Sequence, residues 1–152
     1  LKKHQIPFTL FIIAGHVGNE DFNNLSLATW ERIQEMADSG LATVGSHTYD
    51  MHHLKNDEPL FFDPMEKNNF LNDSIKSKNT IEANLTGVEV IDFAYPFGEG
   101  KDELVPIIKE AGFLSAYILA PRVICKQNAS YWQNRILVDH KVFKKIVEPW
   151  LQ

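Results

Sequence analysis

With 152 residues, 44% apolar and 23% charged side chains, the chain has the length and composition of one globular domain with a real core, and no internal repeat divides it. A formal charge of −5 without any basic run argues against a nucleic-acid partner, and no apolar stretch approaches the roughly 20 residues of a membrane span. The single cysteine, Cys125, excludes an internal disulfide and a cysteine-based zinc cage, and reads as a small buried apolar residue.

In chain order, Leu1-Lys2-Lys3-His4 has no initiator Met and reads as the end of a helix already under way. The segment is therefore expected to be part of a longer chain, and its lack of a leader says nothing about compartment. Ile6-Pro7 breaks that helix. Residues 8–13 form a continuous apolar, β-branched run, as in a strand buried on both faces of a parallel sheet. Gly15 ends it, and His16 falls in the following loop as a surface histidine. Residues 29–39 carry Trp30, Ile33, Met36 and Ala37 at helical spacing, with Thr29 as N-cap and Gly40 past the end.

Residues 41–44 read as a second strand, opening into a histidine-rich loop. After it, Phe61-Phe62 packs a lid or touches a ligand ring, with packing the favoured reading. A long helix spans 66–85, with Phe70, Leu71, Ile75, Ile81 and Leu85 as its apolar side, closed by Gly87. A third strand is expected over 88–95, a helix over 102–111 with Pro106 in its early turns, a fourth strand over 113–120, a fifth over 135–138, and a closing helix over 141–147. Strands alternating with helices at this period predict an α/β fold with a parallel sheet, open or closed.

Two stretches carry chemistry. In Gly45-Ser46-His47-Thr48-Tyr49-Asp50-Met51-His52-His53-Leu54, three of the six histidines fall within seven residues, just beyond a strand. That is the edge where α/β folds collect ligands, and two imidazoles on one loop can supply a cis pair of metal ligands. On spacing alone, a metal site and a chance cluster stand level. The second stretch, Phe93-Ala94-Tyr95-Pro96-Phe97-Gly98, again ends a strand; by itself it reads as a plain turn.

The first stretch resembles the second motif of the polysaccharide deacetylases, the NodB-homology or carbohydrate esterase 4 group, whose usual pattern is His-(Ser/Thr)-x-x-His. Here Met51 stands where the second histidine would fall and His52 follows one residue later. That longer spacing is similar to the biofilm-exopolysaccharide branch, the deacetylases of poly-β-1,6-N-acetylglucosamine. The resemblance implies an irregular (β/α) barrel of about seven strands, here without its first, formed by residues 1–152 as one N-terminally truncated domain. It implies His47 and His52 as metal ligands, His53 as a neighbour, and a divalent ion, zinc foremost, in metal-assisted hydrolysis of an N-acetyl amide.

The second stretch resembles the Arg-x-Pro-Tyr motif of the same group. Pro96 matches, Phe97 takes the tyrosine place and Ala94 stands where the arginine would be. The resemblance makes the Phe97 backbone amide an oxyanion donor, a role independent of side chain, and places Tyr95 and Pro96 against substrate. In the family, the metal aspartate and the general base come from a Thr-Phe-Asp-Asp-Gly-like motif, and this chain has no Asp-Asp pair. Asp50 is then a loop or outer residue, and the chain as it stands is expected to bind metal weakly and catalyse poorly. Leu137-Val138-Asp139-His140 is faintly similar to the family's late Leu-x-His motif, which would make His140 an acid, though it reads equally well as strand-turn-helix.

Asn84-Leu85-Thr86 and Asn128-Ala129-Ser130 fit the glycosylation sequon, a pattern common by chance, and Tyr131-Trp132 serves either sugar stacking or packing. The expectation is a secreted or cell-surface hydrolase acting on an N-acetylglucosamine polymer. A catalytically silent carbohydrate-binding domain and a peptidoglycan or chitin-oligomer deacetylase stand as alternatives.

Overall fold

The computed structural model describes residues 1–120, 122, 124–125 and 129–151. A short 3-10 turn, Lys2–His4, precedes strand β1 (Phe8–Ile12). Helix α1 (Trp30–Asp38) starts where Thr29 accepts a hydrogen bond from the Arg32 amide, and it stops before Gly40, whose φ of +70° suits the left-handed exit. Strand β2 (Ala42–Ser46) leads into the histidine loop, and strands β3 (Leu54–Lys55) and β4 (Glu58–Pro59) make a separate small hairpin. Then come α2 (Lys67–Asn84), β5 (Asp92–Ala94), α3 (Val105–Glu110), β6 (Ser115–Leu119), β7 (Gln133–Arg135) and α4 (His140–Val142), the last running on through a π-helical stretch, Phe143–Val147.

Strands β1, β2, β5, β6 and β7 form one parallel sheet in that order. Parallel strands need crossovers, and α1, α2 and α3 supply the first three. The sheet curls: Phe11 of β1 lies 5.2 Å from the Tyr117 ring of β6 and 6.0 Å from the Arg135 guanidinium of β7, three strands and four strands away in the sheet order. The expected α/β partial barrel is what forms, as an open five-stranded sheet among the described residues. Gly45 belongs to the curl, because a Cβ there would stand 2.7 Å from the Phe11 ring and 2.9 Å from the Asp92 carbonyl oxygen.

The core lies between the sheet and its helices, built from Ile12, Val44, Phe93 and Ala116 of the strands with Ile33, Phe70, Ile81 and Ile108 of the helices. The inner face of α2 reads Phe70, Ser74, Ser77, Ile81, all buried. The two serines let the helix approach β2 closely enough for the Ser77 and Ser46 hydroxyls to bond at 2.7 Å. Phe61 packs flat on Phe70, ring centroids 5.0 Å apart, so the 61–62 pair is packing.

Three sequence expectations change. The third strand shortens to Asp92–Ala94. The fifth shifts forward to Gln133–Arg135, and the apolar Leu137 and Val138 that suggested it are exposed beyond the sheet. Cys125 is exposed rather than buried, since it sits in the surface connection between β6 and β7. Of the sequons, Asn84 is engaged in a bond to the Thr80 carbonyl, and Asn128 lies outside the described residues.

Candidate functional site

The site forms at the carboxyl edge of the sheet, where the chain leaves β1, β2, β5 and β7. The histidine loop is fixed there mainly through its backbone. The His47 amide donates to the Ile12 carbonyl at 2.8 Å, while Thr48 and Tyr49 carbonyls accept from the Ala14 and Gly15 amides at 3.1 and 2.9 Å. From α2, the Asp73 carboxylate accepts from the Tyr49 and Asp50 amides at 2.8 and 2.7 Å. Thr48, fully buried, is held at φ +75°, a region a β-branched residue rarely enters. Such a conformation persists only where its surroundings fix it, and here β1, its following turn and α2 all do.

This backbone aims two imidazoles together. His47 Nδ1 donates to the Ala94 carbonyl at 2.6 Å, which leaves Nε2 with its lone pair for a ligand. Burial pushes His47 down to about 3, against the Ala94 bond that raises it, and Arg135 and His52 lower it further. His52 lies with its ring centroid 5.1 Å from that of His47, and its Nδ1 is buried without a partner among the described residues. Burial also lowers the His52 pKa. Both rings are thus held neutral, the form that binds metal. The separation suits two nitrogens sharing one ion at about 2.0–2.1 Å each.

The orphaned Nδ1 and the freed Nε2 fit a divalent cation as a cis pair. Among the described residues no third histidine, cysteine or carboxylate joins them. Asp50 is turned elsewhere, accepting from His16 Nε2 at 2.6 Å and from His53 Nε2 at 3.2 Å. Its bond to His16 holds Asp50 below the usual carboxylate range. His16 is therefore not a simple surface histidine: the turn after β1 brings it to the same edge, where its ring also lies 4.5 Å from Phe22.

Opposite the loop stands the turn after β5. Phe97 takes φ +59° and ψ −1°, and its amide makes no hydrogen bond among the described residues. Its ring lies 4.3 Å from that of His52, which sets this turn beside the imidazole pair. Gly98 follows at φ +78°, and a Cβ there would sit 2.0 Å from the Leu119 Cβ, so only glycine lets β6 pass behind the turn.

Tyr95 and Pro96, expected against substrate, are fully buried. Their position just beyond the central strand turns them into the floor beneath Phe97, with the Tyr95 ring between Phe93 and Trp132 at 5.5 and 6.1 Å. The Tyr95 hydroxyl is buried without a partner among the described residues, and burial pushes its pKa far up. His140 is exposed at the start of α4, and no bond or ring contact among the described residues joins it to His47 or His52. Tyr131 donates its hydroxyl to the Phe113 carbonyl at 2.8 Å and packs against the core.

Sequence reasoning missed Phe22, Asp73 and Arg135. Phe22 lies in a polar loop, Asp73 on a helix among other polar residues, and Arg135 on a strand without apolar alternation. No periodicity singles them out.

The sequence profile described as polysaccharide deacetylase matches residues 1–116. The poly-beta-1,6-N-acetyl-D-glucosamine N-deacetylase of Staphylococcus aureus strain MRSA252 is 32% identical over 150 residues, 99% of this chain and 51% of that protein. The protein of the same name from Staphylococcus epidermidis is 31% identical, over 99% of this chain and 52% of its own length. Among solved structures, IcaB from Ammonifex degensii superposes with a TM-score of 0.85 at 34% identity, covering 100% of this chain and 64% of that one. The chain spans about half the length of the curated relatives it matches.

Proposed function

Because the chain belongs to the polysaccharide deacetylase family, we propose that it serves the hydrolytic removal of N-acetyl groups from a β-linked N-acetylglucosamine polymer at the cell surface or in a biofilm matrix. The observation that carries this reading is the neutral His47–His52 pair beside the Phe97 turn, whose amide makes no hydrogen bond among the described residues. The relatives named for poly-β-1,6-N-acetylglucosamine support that polymer as substrate. A surface or secreted location rests on the same likeness; no helix among the described residues is long and apolar enough to cross a membrane.

His47 and His52 would hold the divalent ion, zinc foremost, His47 through the Nε2 that its Ala94 bond leaves open. When bound, such an ion polarises a carbonyl and brings the pKa of a water to about 7. The Phe97 amide donates to the acetyl oxygen as that oxygen gains negative charge, a contribution that removal of one donor elsewhere puts at about 2.7–4 kcal/mol. Phe22, Phe97 and the rim of the histidine loop wall the cleft with aromatic surface suited to a sugar face. Nothing links His140 to this arrangement, and it is left outside the assignment.

The absence of a third ligand among the described residues favours one rival, a carbohydrate-binding domain without catalysis. Acetate release separates them, assayed on β-1,6- and β-1,4-linked N-acetylglucosamine oligomers with zinc or cobalt. This chain is compared with one extended at its N-terminus toward the length of the relatives. Release by the extended chain, lost by more than about 100-fold in His47→Ala, supports the hydrolase, and the linkage preference names the polymer. Oligomer binding without acetate release from either chain leaves the binding domain.

A further inference from the structure

Between β1 and α1 the chain reads Gly18-Asn19-Glu20-Asp21-Phe22-Asn23-Asn24-Leu25, a polar stretch with two apolar side chains. Those two are partners. The Phe22 amide donates to the Leu25 carbonyl at 2.9 Å and the Leu25 amide to the Phe22 carbonyl at 3.0 Å, closing an antiparallel bridge. Asn23 and Asn24 turn the chain between them at φ +52° and +63°, the left-handed pair that a two-residue hairpin requires and that asparagine tolerates. Residues directly opposite in such a bridge project on the same face, so Phe22 and Leu25 lie side by side.

Packing does not account for the pair. Val17 and Trp30, on either side of the turn, pack against the core, whereas Phe22 does not, and Leu25 is 62% exposed. The Phe22 ring meets the site instead. It lies 4.5 Å from the His16 ring and stands nearly edge-on to His52 at 6.4 Å, a step comparable to that from one pyranose ring to the next.

The turn is also held before anything binds. Asn19 Oδ1 accepts from the Asp21 amide at 2.9 Å, Asp21 Oδ1 from the Asn24 amide at 3.2 Å, and the Asn19 carbonyl from the Leu27 amide at 2.8 Å. His16, against which Phe22 rests, is pinned to Asp50 at 2.6 Å. An apolar ledge that starts beside an imidazole of the site and runs outward suits a chain of pyranose rings. Their C–H faces cover apolar surface while their hydroxyls stay in water, and a ledge already in place spends no loop entropy on binding.

We infer that the Phe22–Leu25 turn carries the sugar unit next to the one whose acetyl group reaches His47 and His52, and so selects an N-acetylglucosamine polymer over the single sugar. The inference rests on the hydrolase reading for which unit reacts, but the contact itself does not need hydrolysis. Phe22 is the specificity-determining residue and Leu25 its outer extension.

The test uses the N-terminally extended, zinc-loaded protein, with N-acetylglucosamine and its β-1,6-linked pentamer as probes. The Phe22 ring and Leu25 methyl resonances are followed by NMR before hydrolysis proceeds. They move on titration with the pentamer and not with the same concentration of sugar units supplied as monomer. Phe22→Ala lowers the ratio of kcat/KM for pentamer to that for monomer by about fivefold or more, and Phe22→Tyr, which keeps a ring, restores it. Leu25→Ser, at an exposed position, repeats the measurement should Phe22→Ala fail to fold. The inference is overturned if neither resonance moves with the pentamer, or if monomer moves them equally. It is equally overturned if the ratio falls less than this, since a variant that loses pentamer and monomer alike has lost structure and not selection. Resonances that move in a protein that never releases acetate keep the ledge and sink the hydrolase reading; acetate release without that movement sinks the ledge alone.

Discussion

The histidine loop and the wall it faces are held by different means. The loop is tied by main-chain bonds to β1, to the turn after β1, and to Asp73 of α2, and its first imidazole is tied to β5. The wall, from the Phe97 turn across to Arg135, has main-chain bonds of its own, Tyr95 amide to Tyr117 carbonyl and Gly98 amide to Tyr95 carbonyl, each at 3.0 Å, and adds close packing to them. Tyr95 sits among rings, Gly98 presses on Leu119, and the Tyr95 hydroxyl, Gln133 Oε1 and Arg135 Nε have no partner among the described residues, while Gln133 Nε2 and Arg135 Nη2 donate to the Ala129 and Tyr95 carbonyls. The difference teaches that His47 is oriented before anything binds, whereas His52 Nδ1 on the loop and the Tyr95 hydroxyl, Gln133 Oε1 and Arg135 Nε on the wall are polar atoms left unpaired among the described residues. Each side can be broken separately.

The wall should fail first when its closest approach is disturbed. Gly98→Ala puts a methyl into the Leu119 side chain and asks an L-residue to hold φ +78°. Strain and overpacking together should cost about 3 kcal/mol and displace the Phe97 amide. Urea denaturation reads the stability, and kcat should fall while zinc affinity stays within a fewfold. Equal loss of zinc affinity would mean that loop and wall are not independent.

The loop is tested at Asp73. Asp73→Asn keeps the shape but removes the charge that receives two main-chain amides, at a cost of roughly 2 kcal/mol. Because those amides flank the imidazoles, zinc affinity should fall about 10-fold or more, measured by competition with a chelating dye. Unchanged affinity would show that β1 alone orients the loop.

Acid acts on the same side. With metal removed by a chelator, His47 has a folded pKa of about 3 against 6.5 in the unfolded chain. The unfolded state therefore takes up the proton first, and the sign follows: stability is full above pH 6.5 and is lost as pH falls from 6.5 toward about 3. The slope should reach at most about 1.4 kcal/mol per pH unit from this group, less for its partly exposed rim. His52, also lowered, adds in the same direction. Urea titrations at pH 7.5 and 5 with and without His47→Gln check it; a slope that survives the substitution assigns the effect elsewhere.

What could be read from the sequence divides along the same line. The loop was legible, because a glycine, a strand and clustered histidines leave a local signature, and the α/β alternation announced the sheet. The wall was not. β7 is Gln133-Asn134-Arg135, with no apolar alternation, because one face of it belongs to the site rather than to the core. The nearby apolar Leu137 and Val138 drew the expected strand two residues too far. Tyr95 and Pro96 looked like cleft residues because they flank Phe97, yet a central strand buries whatever precedes its turn. The α2 stripe was only partly legible, since Ser74 and Ser77 occupy core positions that hydrophobic periodicity cannot detect.

The smallest effect is also the sharpest discriminator between a wall awaiting a partner and one that is merely imperfect. The Tyr95 hydroxyl is fully buried and unpaired, so in this structure it contributes a desolvated polar atom and no hydrogen bond. Removing such a group while keeping the ring should be neutral or should stabilise by up to about 1 kcal/mol, because the penalty of burying it disappears with it. Tyr95→Phe should therefore leave the urea midpoint level or raised, with Phe93 and Trp132 still packed on the ring. Loss of more than about 1 kcal/mol would mean that the hydroxyl has a partner in solution, such as a trapped water. Tyr95 would then belong with the hydrogen-bonded parts of the molecule, and of the wall's unmet groups only Gln133 and Arg135 would be left for a ligand to complete.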